Sequence, residues 1–165
     1  MDDLTKVAKV TPLEGHSLRV RFEGERRSRD IDLTGLVNRS IHFAPLARDK
    51  TAFADVRIVA NGLGVAWPVE TKWGPLDVSA STLRRIADEQ RPMSGAEFAA
   101  WRVSLGLSLT EAASLLGLGR RTVVGYLKKD ELPAVVAIAC RALARDANLL
   151  AAHYVPARKI SRSAA

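Results

Sequence analysis

The stretch from Ser94 to Lys129, SGAEFAAWRVSLGLSLTEAASLLGLGRRTVVGYLKK, limits the possible folds more than any other part of the chain, because it spells the opening of a helix twice. In Ser94-Gly95-Ala96-Glu97 and again in Ser108-Leu109-Thr110-Glu111, a serine oxygen can take the amide of the third helical residue while the glutamate reaches back to the serine's own amide. After the first box, Phe98, Trp101 and Leu105 recur at i, i+3 and i+7, and Gly106 supplies a left-handed stop. After the second, Leu109, Ala112, Ala113 and Leu116 complete an i, i+3, i+4, i+7 stripe that Gly117 ends, with Leu118 placed to plug the turn. From Gly119 a third helix carries Val123, Tyr126 and Leu127 on its inner face and leaves Arg120, Arg121, Thr122, Val124, Gly125 and Lys128 elsewhere.

The first turn of that third helix is basic. Cations at a helix N-terminus oppose the macrodipole at a cost of roughly 0.3 to 1 kcal/mol each, so Arg120 and Arg121 need another reason to be there. A phosphate or a guanine edge is such a reason. In helix-turn-helix proteins the second helix of the motif lies in the major groove with its N-terminal residues at base edges, while the first crosses the backbone. Ala113, Gly117 and Val123 stand where the motif takes a small residue, a glycine and a branched apolar residue.

On these residues the chain from Leu109 to Lys128 resembles the lambda-repressor-like, Cro-type family of bacterial regulators, with Trp101-Arg102 and Leu105-Gly106-Leu107-Ser108 matching its first helix and the turn that follows. The resemblance implies an all-α helix-turn-helix domain over residues 93–154 that holds double-stranded DNA. It implies contacts from Arg102, Ser108, Thr110, Gly119, Arg120, Arg121, Thr122, Val124, Gly125, Tyr126, Lys128 and Lys129. Leu109 stands where many members carry a phosphate-contacting glutamine, and Gly119 replaces a side-chain cap, which together imply weaker DNA contact than is typical. The alternative is a helical bundle whose motif only packs against protein.

Charge and composition bound the remainder. The chain has 165 residues, 47% of them hydrophobic, and a formal net charge of +7, enough apolar content for one domain or two small ones. The excess charge sits on the motif's half: residues 93–165 carry ten Lys and Arg against five acids, and residues 1–92 carry fifteen against thirteen. A basic balance suits a polyanion without choosing between DNA, RNA and a membrane surface. Cys140 is the lone cysteine, so an internal disulfide is excluded, and its apolar helical setting predicts buried packing. No apolar run nears 18 residues and MDDLTKVAKV does not read as a signal peptide, which predicts a cytoplasmic protein without a membrane partner.

Residues 1–90 read as a separate domain. Thr5 to Thr11 alternates as a strand that Pro12 ends or confines to an edge. Leu18, Val20 and Phe22 against Arg19 and Arg21 mark a second strand, and Glu23-Gly24-Glu25 a tight reversal into a third within Arg26 to Leu33. The Arg26, Arg27 and Arg29 run reads as a solvated face. Leu36 to Leu46 predicts a short helical or irregular cover with Ile41, Phe43 and Leu46 inward. Asp55 to Ala60 and Gly64 to Trp67 predict a hairpin about Asn61-Gly62, closed by Trp67-Pro68; Leu76 to Val78 adds a fragment. Ser81 to Gln90 predicts a serine-capped helix stopped before Pro92. The fold class expected is therefore an α+β domain, a small antiparallel sheet with short helices, followed by the all-α domain.

Val10-Thr11-Pro12, Leu18 to Glu25, Asp32-Leu33, Phe53-Ala54-Asp55-Val56, Val65-Ala66-Trp67-Pro68 and Leu76-Asp77 resemble, in order, a family of short bacterial domains of unknown function over about residues 5 to 85. Members beside genes for small toxin-like proteins resemble antitoxins, and some carry a C-terminal Cro-type domain. The resemblance thus implies a possible toxin-like partner held through the N-terminal domain. This chain departs by the insertion-like Glu70-Thr71-Lys72-Trp73-Gly74.

Pro133 fits the first position of a further helix with Val136, Ala139, Cys140 and Leu143 as its buried stripe. Ala147 to Tyr154 predicts another, and residues 155–165 a basic disordered tail, with a DNA-touching arm as its alternative role. His16, His42 and His153 form no metal or nucleophile pattern, and Asp30 and Asp32, though on one strand face, have no tuned pocket. No catalytic residue and no cofactor is expected. Trp67 and Trp101 read as packing residues, and Trp73 as the one that could serve an interface. The function expected is a homodimeric DNA-binding transcriptional regulator, with an autoregulating antitoxin as its finer form. A protein-interaction adaptor is the rival, and an enzyme using the N-terminal domain ranks third.

Overall fold

The computed structural model describes residues 4–157. The chain divides into two compact units, Met1–Gln90 and Arg91–Ala165.

In the first unit, β1 (Val7–Pro12), β2 (Ser17–Phe22) and β3 (Arg29–Asp32) form an antiparallel sheet in that order. Alternation in β2 decides which face is inner: Leu18, Val20 and Phe22 are buried while Arg19 and Arg21 are exposed. The register sets Arg19 opposite Asp30, and the guanidinium meets the carboxylate in two bonds of 2.7 Å. Asp32 instead accepts the Thr34 amide at 2.8 Å, so the two strand acids are occupied separately rather than as a pair.

The chain then crosses through α1 (Thr34–Arg39), a 3-10 turn (Ile41–Phe43), α2 (Ala44–Arg48) and α3 (Lys50–Ala54). Phe43, Leu46 and Phe53 point into the core, but Ile41, expected inward, is 74% exposed. At three residues per turn, positions two apart point to different sides, and the larger ring of Phe43 takes the core.

A second antiparallel sheet follows, β4 (Arg57–Val59), β5 (Gly64–Thr71) and β6 (Gly74–Ser79), again in sequence order. The expected two-residue hairpin at Asn61-Gly62 is instead a 3-10 turn over Ala60–Gly62 with Asn61 at φ 53°. Pro68 does not end its strand either. β5 runs to Thr71, and its pairing with β6 shifts register between Trp67 and Glu70, so the residue without an N–H sits at the irregularity. Trp67 is buried and donates its indole N–H to the Phe53 carbonyl at 2.8 Å.

Helix α4 (Ala80–Gln90) starts one residue earlier than expected, with Ser79 as the side chain that takes the Thr82 amide at 3.1 Å. At its other end the Gln90 side-chain amide accepts from the Asp32 N–H at 3.0 Å and donates to the Asp32 carbonyl at 2.7 Å. It thus occupies backbone groups that an edge strand would otherwise offer to another chain.

The class expected from the sequence, one small sheet with short helices followed by an all-α domain of lambda-repressor type, does not stand. The chain is α+β with two small three-stranded antiparallel sheets interleaved with helices. Each sheet pairs only strands adjacent in sequence, and the short helices from Thr34 to Ala54 stand between the two in the chain.

The described part of the second unit contains α5 (Gly95–Ser104), α6 (Leu109–Leu115), α7 (Arg120–Tyr126), α8 (Ala134–Arg145) and α9 (Ala147–His153). Both capping boxes form: the Glu97 amide donates to Ser94 Oγ at 3.3 Å and the Ser94 amide to Glu97 Oε2 at 2.8 Å, with equivalent bonds of 3.2 and 2.8 Å between Ser108 and Glu111. Gly106 and Gly117 take φ of +66° and +65° just past the ends of α5 and α6. Pro133 is the residue before α8 rather than its first. Residues 158–165, most of the expected basic tail, lie outside the described residues.

Phe98, Trp101, Ala112, Ala113, Val123, Tyr126, Val136, Cys140 and Leu143 fill the core of this unit. Burial pushes the Cys140 thiol up to about 12, against the smaller opposing pull of Arg141. A thiol reagent at pH 8 should therefore leave Cys140 intact in the native protein and label it rapidly once denaturant is added. Equal labelling rates in the two states would show that this core opens readily.

Candidate nucleic-acid interface

Helix α7 is held from beneath. Val123 is fully buried, and Tyr126 is 8% exposed with its ring edge-on to Phe98 at 6.0 Å between centroids. These anchors fix the rotation of the helix. Arg120, Arg121, Thr122, Val124 and Gly125 are exposed as a consequence, and Lys128 and Lys129 follow them into solvent.

The C-terminal end of α7 is clamped to the start of α5 by backbone alone. The Gly95 amide donates to the Lys129 carbonyl at 2.8 Å, and three residues on, the Leu132 amide donates to the Met93 carbonyl at 2.8 Å. A Cβ on Gly95 would stand 2.4 Å from the Tyr126 carbonyl oxygen and 2.7 Å from the Leu127 carbonyl. A glycine there is thus a packing requirement. The sequence pattern shows Gly95 only as a filler of the capping box, although a glycine at the first helical position is itself a signal, since it costs about 1 kcal/mol against alanine.

The ion pairs among the described residues leave the α7 cations out. Arg19, Arg29, Arg57, Arg84 and Arg91 have carboxylate partners, whereas Arg120, Arg121, Lys128 and Lys129 have none. Lys129 does sit over the Tyr126 ring, 6.0 Å from its centroid. An exposed helix face carrying cations without counter-charges offers a surface on which an anionic backbone displaces no existing ion pair.

Of the residues picked out from the sequence, the structure brings Arg120, Arg121, Thr122, Val124, Gly125, Lys128 and Lys129 together on and just beyond α7, with Gly119 as its N-cap. Thr110 is exposed in the first turn of α6, and the hydroxyl of Ser108 is engaged in its capping box. Two residues fall elsewhere. Tyr126 is a core residue. Arg102 is half-buried and donates from Nη1 to the Leu107 carbonyl at 2.5 Å, so it braces the turn between α5 and α6 instead of facing a ligand.

The structure also adds a contact that sequence separation hid. Glu111 caps α6 with Oε2, and its Oε1 accepts from the Tyr154 hydroxyl at 2.7 Å and from the Ala157 amide at 3.2 Å. The Ser108 hydroxyl, the Tyr154 hydroxyl and the two amides hold the Glu111 carboxyl down at about 2. Its contribution is therefore fully present above the ordinary carboxylate range and is lost progressively as pH falls from that range through about 2.

In the first unit Trp73 is 54% exposed, with the Lys72 ammonium 4.4 Å from its ring and His42 at 6.0 Å. Among the described residues no group of His, Cys, Asp and Glu is arranged to hold a metal ion, and no helix is long and apolar enough to cross a membrane.

No protein-family model and no curated protein matches the chain. Among solved structures, a crystal structure of a putative DNA-binding protein from Nitrosomonas europaea is 28% identical, with 84% of this chain and 86% of that one covered and a TM-score of 0.42. A superposition that loose carries no argument about this chain, and no family assignment follows from it.

Proposed function

We propose that the chain is a DNA-binding transcriptional regulator of bacterial type, acting in the cytoplasm, in which α6 and α7 work as a helix-turn-helix with α7 in the major groove. The observation that carries the reading is the exposed cationic face of α7, Arg120, Arg121 and Lys128, left without carboxylate partners over a rigidly buried Val123 and Tyr126. A helix so anchored offers its outer side chains in fixed positions, which base-edge recognition requires. The test is the salt dependence of binding to labelled duplex DNA. Counterion release gives a slope of roughly −0.9 in log K against log salt per phosphate contact, whereas a bundle that only packs against protein should retain no DNA at any salt.

The reading includes a homodimer. One such helix reads only a few base pairs, and two copies on DNA stand about 34 Å apart, one helical turn. The operator should then be an inverted repeat protected over both halves, with two chains per DNA at saturation; a single asymmetric half-site with one chain would contradict the dimer. The first unit is proposed as the binding module, for a second copy or for a toxin-like protein, in which case the regulator is an antitoxin controlling its own gene. Its exposed Trp73, beside Lys72 and His42, supports a binding role over a catalytic one.

A further inference from the structure

Helix α8 is apolar on both sides. Its inner side, Val136, Ala137, Cys140 and Leu143, is buried in the core of the second unit. On its outer side Val135 is 71% exposed and Ile138 58%, and with the half-buried Ala139 and Ala142 they fall at i, i+3, i+4 and i+7, a single stripe along the helix. Single exposed apolar side chains are ordinary, but a continuous stripe of them marks an interaction surface. The stripe does not end at the helix. Ala139 and Ala142 also form one wall of an open groove of about 260 Å³, with Leu115, Leu116 and Leu149 among its other lining residues.

The order of residues along the stripe points to what covers it. Its first half carries the two branched side chains and its second half the two alanines. A second α8 laid antiparallel, with Ile138 against Ala139 of the other copy, sets Val135 against Ala142, so that each large side chain meets a small one and the two-fold axis repeats both contacts. The charges follow the same order. Glu131 lies exposed just before the helix and Arg145 exposed at its end, so antiparallel packing brings each Glu131 near Arg145 of the other copy, whereas parallel packing would set like charge beside like. We infer that the outer face of α8, with the groove beside it, is the surface through which two copies of this chain associate, antiparallel about Ile138 and Ala139. The inference rests on the homodimer reading and names its surface. It puts the contact with a second copy in the second unit and leaves the first unit for a partner of another kind.

Sedimentation equilibrium of the full chain over a concentration series, beside Ile138→Asp and Val135→Asp, tests the surface. Both side chains are more than half exposed, so each variant should keep the melting temperature of the parent, while a carboxylate buried between two copies should raise the dimer dissociation constant at least about tenfold. The arrangement is read by cross-linking under mild oxidation. In the antiparallel register the two copies of Ile138 face each other across the two-fold axis, whereas the two copies of Val135 stand roughly 10 Å apart along the helices at about 1.5 Å per residue, beyond the reach of about 7 Å between Cα atoms that a disulfide spans. Ile138→Cys should therefore give a disulfide-linked dimer and Val135→Cys none; Cys140, buried and with its thiol pushed up to about 12, does not compete. If the full chain and both Asp variants dimerise equally, the α8 surface is overturned and the homodimer reading stands. Linking through Val135→Cys as readily as through Ile138→Cys overturns the antiparallel arrangement. A full chain that stays monomeric at every concentration overturns the surface and the homodimer reading together.

Discussion

Gly95→Ala should unfold or severely loosen the second unit. The added Cβ would meet the Tyr126 carbonyl oxygen at 2.4 Å and the Leu127 carbonyl at 2.7 Å, and both are backbone atoms at the end of α7 that no rotamer change can clear. Relief would require α5 to withdraw from α7, which also stretches the Gly95 to Lys129 hydrogen bond. Overpacking in a filled core costs about 1 to 3 kcal/mol and occasionally more, and this contact belongs at the upper end because the obstacle is main chain. For a unit of this size each kcal/mol lowers the melting temperature by roughly 4 to 8 °C, so a fall of more than about 10 °C is expected by calorimetry. As a control, Gly119→Ala meets only Thr122 Oγ1 at 3.8 Å and should melt within a few degrees of the parent. A native melting curve for Gly95→Ala would mean that α5 and α7 do not touch as described.

The double variant Arg120→Ala, Arg121→Ala should bind DNA far more weakly than the parent while keeping its fold. Both side chains are exposed and neither has a carboxylate partner among the described residues, so their removal strands no buried charge. A bidentate arginine contact with guanine is worth about 1 to 3 kcal/mol of discrimination, and a phosphate contact weakens all sequences alike when it is removed. A drop of roughly ten- to hundredfold on a cognate site, with a smaller drop on unrelated DNA, would show that at least one of the pair reads a base. An equal drop on both would assign both to phosphates, and no drop on either would remove α7 from the groove.

Local chemistry is legible in the sequence and distant chemistry is not. Ser94 with Glu97 and Ser108 with Glu111 can be read because a capping box closes within four residues, and the alternation of β2 because Leu18, Val20 and Phe22 need only the strand's own period. Ile41 misleads because its apolarity is visible and the three-residue period of its turn is not. Pro68 reads as a strand end, since a register shift opposite β6 depends on how two strands pair rather than on either alone. Arg102 looks like a surface cation in a helix-turn-helix frame, and only the folded turn shows the Leu107 carbonyl it braces. The approach of Gly95 to Tyr126 and the meeting of Tyr154 with Glu111 join residues more than thirty positions apart, whereas the two sheets pair only strands adjacent in sequence.

Whether α7 reads a sequence is the central question. The most direct measurement is competition between DNA from upstream of the protein's own gene and unrelated duplex DNA, at about physiological salt, with the intact chain. Sequence-specific proteins prefer their sites by roughly a thousandfold or more, and a preference of that order is predicted here, reduced by Arg120→Ala or Arg121→Ala. Equal retention of the two DNAs by the intact chain, unchanged in both variants, would contradict it.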